Sequence, residues 1–313
     1  MKKALLFPGQ GSQTVGMGKE LAEQFAAARD VFNEVDAALG EKLSSIIFEG
    51  PQETLTLTQN AQPAIMATSI AALRVLQAET GFDIAKEAAF VAGHSLGEYS
   101  ALCAAGSLSL SDTAKLLRLR GNAMQAAVPV GQGAMAALIG ADFDSATAVA
   151  AEAAQGETCV VANDNAPGQV VISGSKAAIL RSVDIAKAKG IKRAMLLDVS
   201  APFHCPLMAP AAQAMQAALA GVKFIAPVVP VVTNVTANAV SNPEELRKLL
   251  VDQVTGVVRW RESIHYIKSQ GVTGIIEIGA GKVLSGMVKR IEPEMTTANF
   301  GTPADLVAFA TAA

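Results

Sequence analysis

The sequence predicts an α/β protein in two parts: a large domain built on a mainly parallel sheet, and a small ferredoxin-like domain inserted into it. Three observations predict this. Short apolar runs alternate with amphipathic helical stretches along most of the chain, the pattern of strands joined by crossover helices. Residues 128–198 break that rhythm and read β-α-β-β-α-β. A Gly-x-Ser-x-Gly turn joins one buried strand directly to a helix. The chain has 313 residues, 51% of them apolar, enough for one large domain or two modest ones.

In the large domain, Ala4–Phe7, Ala89–Ala92, Val228–Val232 and Gly274–Ile278 read as buried strands. Leu21–Leu39, Ile65–Gln77, Ser111–Ala127 and Pro243–Gln253 read as helices. The insert reads as strand Ala134–Ile139, helix Asp144–Ala154, strand Cys159–Ala162, turn Asn163–Gly168, strand Gln169–Ser173, helix Lys176–Lys189 and strand Arg193–Val199. Gly131-Gln132-Gly133 and Ser200-Ala201-Pro202 mark the crossings. The expected division is 1–127 with 199–313 for the large domain, and 128–198 for the small one.

Composition excludes several classes. A net charge of −3 argues against a nucleic-acid binder. No apolar run approaches the roughly 18–20 residues that cross a bilayer, and the stretch Phe224–Val232 is interrupted by Pro227 and Pro230. The apolar stretch after Met1-Lys2-Lys3 stops at Pro8-Gly9, short of the roughly 7–15 residues of a signal-peptide core, so it reads as a first strand. Cys103, Cys159 and Cys205 are odd in number and widely spaced. They form neither a disulfide framework nor a metal knuckle, and fit the reducing cytoplasm.

The chemistry centres on Gly93-His94-Ser95-Leu96-Gly97. The strand before it and the helix after it make this a nucleophile elbow. The tight turn exposes the Ser95 oxygen, and the helix N-terminus favours negative charge beside it. Serine needs a base at neutral pH, and the chain has three histidines. His94 adjoins Ser95 and, by strand alternation, points away from it. His265 lies in a helical run and reads as a surface residue. His204, bracketed by Pro202 and Pro206 where the chain leaves the insert, is the candidate base. Asp198, Asp252 or a backbone carbonyl is its orienting partner. Cys205 reads as packing.

Two further features point to a ligand. Phe7-Pro8-Gly9-Gln10-Gly11-Ser12-Gln13 follows the first strand and lacks the endings of a P-loop or dinucleotide fingerprint. It is either a plain turn or the source of a second oxyanion donor, the first being the N–H of Leu96. In the helix to Ala127, Arg120 shares its face with Leu116, Ala123 and Ala127. A guanidinium on an apolar face needs an anion: either a structural ion pair or the carboxylate of a substrate.

Together these residues resemble the malonyl-CoA:acyl carrier protein transacylases. The likeness spans nearly the whole chain: Phe7–Gln13, Gln62-Pro63-Ala64, Gly93–Leu102, Arg120-Gly121, Gly131–Met135, Pro167–Ile172, His204-Cys205 and Gly279–Leu284. It implies an α/β-hydrolase-like large domain with a ferredoxin-like insert, and transfer of malonyl from malonyl-CoA to a carrier-protein phosphopantetheine thiol through a malonyl ester on Ser95. It implies His204 as base, the backbone carbonyl of Gln253 as its partner, the amides of Gln10 and Leu96 as oxyanion hole, and Arg120 as malonate clamp. Phe203, Met124, His94 and Gln62 complete the expected substrate-binding set. In related polyketide acyltransferase domains, phenylalanine before the histidine accompanies malonyl and serine accompanies methylmalonyl. No metal or bound cofactor is expected.

The expected partner is an acidic acyl carrier protein, met by a basic rim of Lys187, Lys189, Lys192, Arg193, Lys282, Lys289 and Arg290. A monomer is expected. The competing readings are a serine esterase, against which Arg120 argues, and a non-catalytic acyl-CoA-binding protein.

Overall fold

In the computed structural model, which describes residues 3–310, the first apolar run forms strand β1 (Lys3–Phe7), parallel to β2 (Ala88–Gly93). Four strands follow in a separate sheet: β3 (Gly133–Ile139), β4 (Cys159–Ala166), β5 (Gln169–Ser175) and β6 (Arg193–Leu196). The chain then returns to the first sheet with β7 (Val231–Val232), β8 (Ala239–Val240), β9 (Gly274–Ile278) and β10 (Thr296–Phe300).

The large sheet runs β10-β9-β1-β2-β7-β8. All its pairs are parallel except β7 with β8. Both faces are covered, which is why its central strands read as continuous apolar runs. Leu5, Phe7, Val91 and Ile276 face one core, while Ala4, Leu6, Ala92 and Ile275 face the other. The small sheet is antiparallel in the order β4-β5-β3-β6, the ferredoxin-like arrangement. Helices Phe143–Ala154 and Lys176–Ala188 pack on it around a core that includes Leu138, Val149, Ile172 and Ile179.

Several expected boundaries are corrected. Leu21–Leu39 is two helices, Lys19–Gln24 and Ala26–Leu39, parted by Phe25 in an extended conformation. The helix expected from Ile65 begins at Thr58 and contains Pro63. The strand expected over Val228–Val232 keeps only its last two residues, because Pro230 has no N–H to give a ladder. The turn expected at Asn163–Gly168 shrinks to Pro167 and Gly168, and β4 runs on to Ala166. Its turn-forming side chains find partners in the large domain instead. Asp164 accepts two hydrogen bonds from Arg261 Nε, at 3.1 and 3.0 Å, and Asn165 pairs with His94. Asn163 forms an isolated bridge with Val258. β6 ends at Leu196, short of Val199. No helix among the described residues is long and apolar enough to cross a membrane.

Candidate active site

β2 ends at Gly93 and helix Gly97–Ala104 begins directly after a tight turn, with Ser95 inside that turn at φ 53°. That left-handed conformation is costly for a serine and persists only where its surroundings enforce it. Two contacts do so. A Cβ on Gly93 would overlap the Gly97 carbonyl, and one on Gly97 would overlap the Phe7 carbonyl, so only glycine lets β1, β2 and the helix meet here. Asn234, just beyond β7, accepts a hydrogen bond from the Ser95 backbone N–H at 2.7 Å and donates to the Gly93 carbonyl at 2.7 Å.

The Ser95 hydroxyl lies 2.8 Å from His204 Nε2, and His204 Nδ1 lies 2.9 Å from the Gln253 main-chain oxygen. A carbonyl can only accept, so Nδ1 carries the proton and Nε2 is left to accept from serine. His204 is buried, and burial with the nearby Arg120 charge lowers its pKa to about 3. The carboxylates considered as its partner are elsewhere: Asp252 pairs with Lys248 at 2.9 Å, and exposed Asp198 belongs to the cleft wall. His265 pairs with Glu292. The buried Cys205 thiol donates to the Pro202 carbonyl.

Arg120 is 1% exposed. Its Nη1 donates to Gln62 Oε1 at 2.7 Å, and its Nη2 to Gln253 Oε1 at 3.0 Å and to Ser95 Oγ at 3.2 Å. Its guanidinium stacks 5.6 Å from the Tyr99 ring centroid. Its partners are neutral, and among the described residues no carboxylate lies within ion-pair distance of it. The structural ion pair considered from sequence is therefore not what holds this charge.

These groups open on a cleft of about 320 Å³ between the two sheets. Gln10, Gln62, Met124, Phe203 and Met135 line it together with Ser95, Arg120 and His204. His94 lines it too, contrary to the alternation argument, because the left-handed turn at Ser95 ends the strand geometry on which that argument relied. Its Nε2 lies 2.8 Å from Asn165 Oδ1, and its ring meets Trp260 edge-on. Burial lowers its pKa. No hydrogen bond within the described residues occupies the backbone N–H of Gln10 or Leu96, while the Gln10 side chain accepts from Thr58. No three His, Cys, Asp or Glu side chains among the described residues group in a way that would hold a metal.

Sequence reasoning gave no role to Asn234, Glu98 or the Gln253 side chain. Glu98, 1% exposed, accepts from the Asn234 backbone N–H at 2.9 Å and from Gln253 Nε2 at 2.8 Å. Its signal was available: a carboxylate in the first turn of the elbow helix, among otherwise apolar and small residues. Asn234 gave none. The seven residues of the basic rim are all exposed. Lys189 is paired with Glu152 at 2.8 Å, and Arg290 ties the two sheets together through Gln169 and the Pro167 carbonyl.

Comparison with known proteins agrees with this geometry. Residues 4–298 match the model of the acyl transferase domain. The chain is 47% identical over 303 residues to a malonyl CoA-acyl carrier protein transacylase of Bacillus subtilis, covering 96% of this chain and 94% of that one. It is 45% identical over 305 residues to the protein of the same name from Escherichia coli K12, covering 97% of each. An acyl-carrier-protein-S-malonyltransferase structure from Bartonella henselae superposes with a TM-score of 0.97 at 56% identity, covering 100% of this chain and 99% of that one. A malonyl-transacylase solved in complex with its type II polyketide acyl carrier protein superposes at 0.96 with 42% identity, covering 100% of both. With a family model matched over residues 4–298, relatives near half identical along almost the whole chain, and an elbow serine hydrogen-bonded to a buried histidine on a matching fold, this chain belongs to the acyl transferase domain family.

Proposed function

We propose that the protein transfers a malonyl group from malonyl-CoA to the phosphopantetheine thiol of an acyl carrier protein, through a malonyl ester on Ser95, in support of fatty-acid or polyketide synthesis. One observation carries the reading. At a single atom, Ser95 Oγ, a neutral imidazole stands 2.8 Å away and a buried cation without a carboxylate partner stands 3.2 Å away. The first makes the oxygen a nucleophile. The second fits an acyl group that ends in a carboxylate.

The cycle is ping-pong. Ser95 Oγ attacks the thioester carbonyl while His204 Nε2 takes its proton. The oxyanion rests on the N–H groups of Leu96 and Gln10, both free of internal acceptors among the described residues. Collapse expels the CoA thiolate, and His204 returns the proton to it. The malonyl carboxylate sits on Arg120. The carrier thiol then gives its proton to His204 and attacks the ester, restoring the Ser95 hydroxyl. Neither half requires a metal or bound cofactor. Met124, Met135 and Phe203 supply apolar lining, which helps exclude the water that would turn transfer into hydrolysis.

The carrier protein would dock on the exposed basic residues Lys187, Lys189, Lys192, Arg193, Lys282 and Lys289, with Arg290 at the seam between sheets. The reading includes a monomeric enzyme acting in the cytoplasm. Its test is the intact mass after brief incubation with malonyl-CoA, for wild type and Ser95→Ala. A malonyl adduct on wild type alone is expected. Free malonate in place of an adduct, with carrier protein present, would make the protein a hydrolase. Neither adduct nor CoA release would overturn the donor.

A further inference from the structure

Glu98 and Arg120 are both 1% exposed, and they do not touch. What stands between them is the side-chain amide of Gln253, itself fully buried. Its Nε2 donates to Glu98 Oε2 at 2.8 Å, and its Oε1 accepts from Arg120 Nη2 at 3.0 Å. Only this orientation of the amide satisfies both ends. Reversed, it would set an NH₂ against the guanidinium and a carbonyl against the carboxylate. Glu98, together with the Ser95 main-chain oxygen that accepts from the same Nε2 at 3.0 Å, fixes the amide, and the amide aims the guanidinium. The second Glu98 contact, from the Asn234 backbone N–H at 2.9 Å, leads to the elbow through the Asn234 side chain.

We propose that Glu98 is the internal counter-charge of the Arg120 clamp, a positioning residue that balances the empty site and takes up a proton when a substrate carboxylate reaches Arg120. The inference rests on the reading of Arg120 as a malonate clamp and deepens it. In the empty site an ionised Glu98 offsets the buried cation through the amide dipole. A docked malonyl group brings a second anion to the same cation. Two like charges around one buried partner cannot both remain ionised cheaply. The incoming carboxylate is the stronger acid and touches Arg120 directly, so Glu98 is the one that gains the proton.

The surroundings allow that exchange near neutral pH. Burial raises Glu98 to about 7, with the Asn234 and Gln253 hydrogen bonds and the Arg120 charge pulling the other way. The other groups facing the network stay in one state there. Tyr99, on the same helix, is pushed up to about 12 by burial, Arg120 stays charged, and burial keeps His204 and His94 neutral. A carboxylate that merely anchored Asn234 would show no such proton exchange.

The test is calorimetric binding of malonyl-CoA and of CoA to the full-length Ser95→Ala protein, in buffers of different ionisation enthalpy, alone and combined with Glu98→Gln. CoA carries the same nucleotide without the carboxylate, so its proton balance is the reference. Near pH 7.5, malonyl-CoA is expected to draw in a fraction of a proton more than CoA does, and Glu98→Gln to abolish the excess. Between about pH 6.5 and about pH 8.5 the malonyl-CoA affinity, relative to CoA, is expected to fall about threefold or more while Glu98 is present, and to stay level once Glu98→Gln is introduced. No excess uptake by the Ser95→Ala protein overturns the proposal by itself, whatever the second variant does. So does an excess that survives Glu98→Gln. If Ser95→Ala with Arg120→Ala binds malonyl-CoA as tightly as Ser95→Ala, the clamp reading fails first and this inference falls with it.

Discussion

The imidazole of His204 leans on the main-chain oxygen of Gln253, at 2.9 Å, in the place where serine enzymes commonly keep a carboxylate. A carbonyl fixes the tautomer as well as an aspartate does, but offers much less to an imidazolium. Burial strips the ring of solvent and Arg120 adds positive charge close by, and the carbonyl's opposite pull is too weak to offset them. The outcome is a base held neutral far below its usual range, at about 3.

That neutrality predicts the pH profile of acylation. At saturating malonyl-CoA, the single-turnover rate of Ser95 acylation should change less than about twofold between pH 8 and about pH 5.5. A histidine of ordinary pKa would lose about tenfold over that interval. Rapid-quench measurement of CoA release decides it. A tenfold loss centred near pH 6.5 would show that His204 titrates normally.

Arg120→Ala should cost malonyl-CoA about 100-fold in kcat/KM, the order expected for losing a buried charge-assisted contact. Discrimination between malonyl- and acetyl-CoA should collapse with it. Arg120→Lys should recover little, because one ammonium cannot reproduce the fork that now spans Gln62, Gln253 and Ser95. Steady-state kinetics with both thioesters tests this, and full recovery by lysine would refute the bidentate grip.

Phe203 is 8% exposed and lines the cleft beside His204. Phe203→Ser should open room for an α-methyl group and shift the ratio of methylmalonyl to malonyl transfer by about 10-fold to 100-fold, the range that one methyl commands in an apolar pocket. Competition between the two thioesters reads the ratio directly, and an unchanged ratio would move the selectivity filter elsewhere in the cleft.

Asn234→Ala leaves the Ser95 N–H and the Gly93 carbonyl without their side-chain partner. Two buried groups stripped in this way should lower stability by about 2–4 kcal/mol, read by urea unfolding. The acylation rate should fall as well, since only the close packing at Gly93 and Gly97 then holds Ser95 at positive φ. A variant with wild-type rate would mean that the flanking glycines enforce the turn unaided.

Much of this was legible from the chain, and the failures share a cause. Ser95, His204 and Arg120 could be singled out because each breaks a local expectation: a serine in a glycine elbow, a histidine between prolines, an arginine on an apolar face. The order of the insert was legible because its strands and helices carry plain periodicities. The residues that slipped past act through main chain or through long-range polar contacts. Gln253 serves His204 with a carbonyl that any residue possesses, so local sequence could not separate it from Asp198 or Asp252. Asn163, Asp164 and Asn165 carry turn chemistry, yet they extend β4 because Val258, Arg261 and His94 occupy them from another part of the chain. β10, Thr-Thr-Ala-Asn-Phe, sits at the sheet edge and lacks the apolar run of the central strands.

The small sheet bears on how the active site comes together. Its first and last strands, β3 and β6, are hydrogen-bonded neighbours, and Pro202 packs against Gly133 where any side chain would collide. The chain thus enters and leaves the insert at nearly one point. Ser95 and His204 are 109 positions apart along the sequence, but once the insert has folded, the span that must close between them is far shorter. Loop-closure entropy grows only with the logarithm of the free length, and most of that length has already been folded away. A folded insert therefore leaves base and nucleophile only a short loop to close, and because length enters as its logarithm, the 109 positions between them cost the active site little.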